Sequence, residues 1–126
     1  MLVSVTGGTG FVGAHSVAAI TALGHRVRLL VRDEAKVVPS LAPLGVDVAA
    51  LDVVVGDVTD EEAVVRAVRG ADAVLHAASV YSFDSRLRRS MRANEPGTEL
   101  VLGAARRAGA DPVVHVSSVV SMFPAA

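Results

Sequence analysis

The chain has 126 residues, 52% of them hydrophobic and 20% charged, with a net charge of -1. That is enough sequence for one soluble globular domain with a real core, and the balanced charge gives no electrostatic reason to expect nucleic acid or an anionic membrane as partner. With no cysteine, disulfides, thiolate metal sites and a cysteine nucleophile are excluded.

Residues 2–6 (LVSVT) read as a first strand, and a strand so close to Met1 leaves no room for a signal peptide. No apolar run approaches the ~18 to 20 residues needed to span a bilayer, so a cytoplasmic location is expected. A helix is predicted over 11–23, followed by a strand over 26–31 (RVRLLV). The next helical segment, 34–44, is interrupted by Pro39 and Pro43, and much of the stretch up to Leu51 reads as loop. A third strand covers 51–55 and a helix 60–69. Thr59 and Glu62 have capping-box spacing at the start of that helix, and Asp60 and Glu61 add negative charge to its first turn. A strand at 72–77, a helix at 95–108 and a strand at 113–117 complete the series. Gly24, Gly70 and Gly109 fall where helices should stop. The strands are short, valine-rich and nearly continuous in hydrophobicity, as in a parallel sheet covered on both faces. Strand–helix alternation with right-handed crossovers predicts a doubly wound α/β sheet.

The stretch VSVTGGTGFVG puts Gly7, Gly10 and Gly13 directly after the first strand and at the opening of the first helix. A turn out of a strand, a close backbone approach to a pyrophosphate and tight packing of a helix on a sheet each favour a missing Cβ. The helix N-terminus then offers free N–H groups to the phosphates. A bare glycine pattern is compatible with a tight strand–helix turn and nothing more; the strand before and helix after make it a dinucleotide site.

TGGTGFVG resembles the extended branch of the short-chain dehydrogenase/reductase superfamily, which includes nucleotide-sugar epimerases, dehydratases, 3β-hydroxysteroid dehydrogenases and dihydroflavonol reductases. Further matches follow in order: GDVTD at 56–60, HAAS at 76–79, NEPGT at 94–98 and VVHVSS at 113–118. The resemblance implies a Rossmann-like fold, here five strands of an incomplete one, and a single NAD(P)-binding domain over 1–126. It implies that Thr6, Phe11 and Val12 join Gly7, Gly10 and Gly13 around the cofactor. It places Asp57 and Val58 at the adenine, and the backbone of Ala77, Ala78 and Ser79 along the ribose. Asn94 and Ser117 complete the implied cofactor set.

The second strand ends LLVRD, with Val31 near the position where NAD enzymes of this fold carry an acid for the ribose 2′-OH. Arg32 can instead pair with a 2′-phosphate through several charge-assisted hydrogen bonds, and Lys36, the sole lysine, could add a second charge. The expected cofactor is therefore NADP. NAD is the alternative, served by Asp33 with Arg32 merely solvated.

By the same resemblance, catalysis needs a serine after the fifth strand, a tyrosine as general acid/base and a lysine four residues beyond it to lower the phenol pKa. Ser118 matches the serine, with Ser117 as its alternative. The sole tyrosine, Tyr81, is followed four positions on by Ser85, so the pair is missing from these residues. Truncation is the expectation: the chain would bind cofactor without turnover, its substrate a small molecule with a carbonyl or hydroxyl group, and a homodimer is compatible with the dimer helices partly present. A reductase or hydroxysteroid-dehydrogenase-like activity is favoured over an epimerase or dehydratase, because SSVVSMFP lacks the V-Y-G common in sugar epimerases. A non-catalytic NAD(P)-binding regulator or redox sensor is the competing reading. His15, His25, His76 and His115 share no metal-ligand spacing, and no metal site is expected. His15 reads as packing, and His76 and His115 as satisfied core or cleft histidines. RLRRSMR (86–92) suggests an anion or nucleotide-sugar site but reads better as a solvated helical face, and Tyr81, Ser82, Asp84 and Ser85 read as a polar loop that could touch substrate.

Overall fold

A computed structural model describes residues 1–78 and 94–116. Strands β1 (Leu2–Thr6), β2 (Arg26–Val31), β3 (Asp52–Val55), β4 (Ala73–His76) and β5 (Val113–His115) form one parallel sheet in the order β3-β2-β1-β4-β5. The helices are α1 (Phe11–Ala22), α2 (Val37–Leu41), α3 (Glu61–Val68) and α4 (Asn94–Arg107). All five predicted strands are present, and the three glycines at the helix ends have positive φ. Among the described residues, no helix is long and apolar enough to cross a membrane.

Side-chain alternation along the strands divides the core into two layers. Val3, Val5, Val27 and Leu29 pack with Val17 of α1 and with Val37 and Leu41 of α2. On the opposite face, Leu30 and Val74 pack with Val64, Ala67 and Val68 of α3 and with Val101 and Ala105 of α4. Cover on both faces holds for the three inner strands. β5 is exposed along its length and β3 is only partly buried, because among the described residues each pairs on one side alone.

Two sequence expectations change here. The segment predicted as one helix over 34–44 is a 3₁₀ turn (Glu34–Lys36), the short α2 and a second 3₁₀ turn (Ala42–Leu44). Pro39 and Pro43 remove backbone donors at the spacing that a continuous ladder would need. The third helix is capped one residue later than the Thr59 spacing suggests. Asp60 is the cap, its carboxylate accepting from the N–H groups of Glu62 (3.1 Å) and Ala63 (3.5 Å). Thr59 is drawn away because it donates to Asp57 instead. At the other end of α3, the Arg28 guanidinium donates to the carbonyls of Arg69 (2.6 Å), Ala67 (3.2 Å) and Arg66 (3.4 Å). A cation on the last carbonyls suits the negative end of the helix dipole.

Ser4, at the centre of β1, is fully buried, and among the described residues its hydroxyl has no hydrogen-bond partner. Leaving such a group unsatisfied costs about 1 to 3 kcal/mol, and alanine removes it with little change in volume. Ser4→Ala is expected to raise stability by ~1 kcal/mol, measured as a higher denaturant midpoint at unchanged slope. A lower midpoint would show that the hydroxyl is satisfied after all.

Candidate dinucleotide site

The strand order reverses direction between β1 and β4, where a doubly wound sheet opens a crevice at its carboxyl edge. The β1–α1 turn forms one wall. Gly7 has φ +72°, and a Cβ on it would stand 2.5 Å from the Ala77 carbonyl carbon and the Ala78 nitrogen. The turn thus rests directly on the backbone leaving β4. A Cβ on Gly13 would overlap the Gly7 carbonyl oxygen, so α1 can start this close to the strand only with position 13 bare. Gly10 caps α1 with extended backbone and offers no side-chain cap, and among the described residues no side chain bonds the helix's first N–H groups. Those donors and the positive end of the dipole are available to a phosphate. Phe11 and Val12 are exposed beside them, 81% and 51% accessible.

The opposite wall is β4 and the residues after it. Thr6 and His76 are both buried, with Thr6 Oγ1 2.6 Å from His76 Nδ1. The same hydroxyl oxygen accepts from the N–H groups of Ala77 (3.2 Å) and Ala78 (3.1 Å). On its other side, His76 Nε2 lies 3.0 Å from Thr98 Oγ1 on α4. Burial, and secondarily the neighbouring His115, pushes the His76 pKa down to about 4, so the ring is neutral at physiological pH.

Beyond the end of β3, Asp57 accepts from the Thr59 N–H (3.0 Å) and hydroxyl (2.9 Å). The backbone bond above all, then the hydroxyl and the nearby Arg32 charge, hold its carboxyl below the usual range against the opposing effect of partial burial. Val58 is half-buried and touches α4 closely: a Cβ on Gly97 would stand 2.7 Å from Val58 Cγ2. Arg32 and Lys36 are exposed. Asp33 is also exposed, and its carboxylate accepts from the Ala35 N–H at 3.0 Å, capping the 3₁₀ turn.

The fold therefore gathers Thr6, Gly7, Gly10, Gly13, Ala77 and Ala78 at one crevice, with Arg32, Asp57 and Val58 at the ends of β2 and β3. Lys36 lies beyond them on the 3₁₀ turn, and Asn94 opens α4. Ser79, Ser117 and Ser118, together with Tyr81, Ser82, Asp84, Ser85 and 86–92, lie outside the described residues.

Of the histidines, His76 is the satisfied cleft residue expected. His115 is exposed rather than core, stacked on His76 at 5.3 Å between ring centroids, because β5 is a sheet edge. His15 is exposed as well, its Nδ1 donating to the Phe11 carbonyl at 3.0 Å while its ring lies 4.7 Å from the Phe11 ring. Sequence reading missed the pairing of His76 with Thr6 and Thr98, which spans 70 and 22 positions and leaves no local pattern.

Comparison with known proteins gives a consistent picture. The model of the 3-beta hydroxysteroid dehydrogenase/isomerase family matches residues 4–126. A 3 beta-hydroxysteroid dehydrogenase/Delta 5-->4-isomerase of Mycobacterium tuberculosis is 38% identical, over 92% of this chain and 31% of its own length. A 3-beta-hydroxysteroid dehydrogenase of Mycolicibacterium neoaurum is 36% identical over the same shares. Among solved structures, a short-chain dehydrogenase/reductase superfamily protein from Agrobacterium tumefaciens with bound NAD superposes with a TM-score of 0.75 at 33% identity. The match covers 94% of this chain and 33% of that one. The chain thus spans about a third of the length of the relatives it matches.

Proposed function

Because the chain belongs to the 3-beta hydroxysteroid dehydrogenase/isomerase family, we propose that its 126 residues are the cofactor-binding domain of an NAD(P)-dependent oxidoreductase. The reaction is hydride transfer between nicotinamide C4 and a carbonyl or carbinol carbon of a small-molecule substrate. The observation that carries this reading is the bare cradle at the switch point. Gly7 lies against Ala77 and Ala78 where no Cβ fits, and Gly13 lies under the Gly7 carbonyl. Among the described residues, the helix start beside them has no side-chain cap. A pyrophosphate suits such a surface, since it needs close backbone approach and unpaired donors.

Within the chain, α1's first turn holds the diphosphate, and Asp57 and Val58 border the adenine. Arg32 and Lys36 supply the positive charge for a 2′-phosphate, making NADP the preferred cofactor over NAD. Local use of the Asp33 carboxylate at Ala35 supports this choice, since a carboxylate committed to capping is less available to a ribose hydroxyl. Ser118 would hydrogen-bond the substrate oxygen. The acid/base pair is not among these residues, because Tyr81 has Ser85 four positions on and Lys36 is the sole lysine. The 126-residue chain is accordingly expected to bind cofactor without turnover.

Titration with NADPH and NADH, followed by nicotinamide fluorescence, tests the reading. Saturable binding of both is expected, tighter for NADPH. Arg32→Ala should weaken NADPH roughly 10- to 100-fold, the range for hydrogen bonds between charged groups, while leaving NADH unchanged. A wild-type preference for NADH would overturn the role given to Arg32.

A further inference from the structure

The Thr6–His76–Thr98 contacts form a chain whose proton positions follow from counting donors. A threonine hydroxyl has one proton to give and two lone pairs to receive with. At Thr6 both lone pairs are taken, one by the Ala78 N–H and one by the Ala77 N–H, which it shares with the Thr6 carbonyl. The hydroxyl proton has one remaining direction, toward His76 Nδ1 at 2.6 Å. Nδ1 must therefore be the bare nitrogen, and the ring proton sits on Nε2, where it is donated to Thr98 Oγ1. The opposite tautomer would aim three donors at one oxygen and leave the Thr6 proton buried without an acceptor, a costly arrangement in a site closed to water.

We propose that His76 is a positioning residue of the dinucleotide crevice: as the Nε2–H tautomer, it locks the Thr6 hydroxyl in the orientation that receives Ala77 and Ala78, and ties both to α4 through Thr98. The consequence reaches the ligand surface because the Ala77–Ala78 backbone is the floor on which the Gly7 turn rests. A Thr6 hydroxyl free to rotate would release the Ala78 N–H and leave the Ala77 N–H to the Thr6 carbonyl alone, and the turn would lose part of its support. Among the described residues, the charged and titratable neighbours do not compete for the ring. His115 stacks on it from β5, Glu95 and Glu99 of α4 are exposed, and β1 presents only the Thr6 hydroxyl.

The proposal rests on the cofactor reading for its purpose but not for its geometry, so the two can fail separately. Nitrogen NMR on the histidine-labelled 126-residue chain at pH 7 reads the tautomer without any ligand. A protonated Nε2 and bare Nδ1 at His76 are expected; a proton on Nδ1 would overturn the proposal. NADPH titration of two variants reads the consequence. His76→Asn keeps an acceptor for Thr6 and should retain affinity to within about threefold. His76→Gln keeps a donor for Thr98 but offers Thr6 nothing, and should lose roughly tenfold, near the worth of one hydrogen bond. Equal losses in the two variants would reduce His76 to a packing residue. Absence of NADPH binding in the wild-type chain, with the Nε2–H tautomer observed, would refute the cofactor reading and leave the frame intact.

Discussion

Gly7→Ala is expected to abolish measurable dinucleotide binding and to lower stability by several kcal/mol. Two costs coincide at this position. The φ of +72° is a region that costs an L-residue about 1 to 2 kcal/mol. The added methyl also meets the Ala77 carbonyl carbon and the Ala78 nitrogen at 2.5 Å, and neither is the end of a flexible side chain that could swing aside. Relief requires separating the β1 turn from the backbone beyond β4, which opens the crevice. Denaturant unfolding and NADPH titration of the same variant check both halves, and a variant that unfolds at the wild-type midpoint and binds normally would remove Gly7 from the site. Gly24→Ala is the control: its φ is also positive, +88°, but a Cβ there meets nothing within 4 Å, so it should show the backbone cost without the loss of binding.

Acid should weaken the fold from about pH 6.5 downward. The His76 pKa lies near 4 in the folded chain against 6.5 for the ordinary group. Between those values the unfolded chain takes up a proton that the folded chain refuses, so stability rises with pH across the window. The contribution is complete above about pH 6.5 and is lost progressively as pH falls toward 4, at most on the order of 3 kcal/mol for this one group. Asp57 acts in a separate, lower window. Its folded pKa is depressed below 3.8, so the stability it contributes is present above that value and lost as pH falls through the folded one. Unfolding free energies measured from pH 7 to pH 4 should show the upper slope in the wild type and a much flatter one in His76→Asn, which cannot titrate. An unchanged slope in that variant would assign the acid sensitivity elsewhere.

What could be read from the sequence was whatever has a short-range signature. The strands were legible because valine-rich runs bounded by glycine have few other uses, and the glycine turn because its spacing sits between a strand and a helix. The segment after β2 was harder, since two prolines say that a helix is broken but not into which pieces. Thr59 was misread for a related reason. Thr59 and Asp60 are both good caps, and only the position of Asp57, two residues back, decides which of them the helix uses. Arg28 carries no local signal of its use. Its role on the carbonyls of α3 depends on a helix ending 38 to 41 residues later. The His76 frame belongs to the same class, because each of its bonds joins elements that only the sheet order brings together.

That sheet order also fixes when the cradle can exist during folding. β1 and β2 are near neighbours along the chain, but Thr6 and His76 are 70 positions apart, and closing a flexible loop of that length costs on the order of 4 kcal/mol in chain entropy. A chain in which β1, β2 and β3 have paired while β4 is still loose would contain every glycine of the phosphate turn and no surface for that turn to lie on. The proposed ligand site is thus a property of the completed β1–β4 junction and not of the glycine-rich segment. A dinucleotide that binds there stabilises only chains in which that long closure has been made.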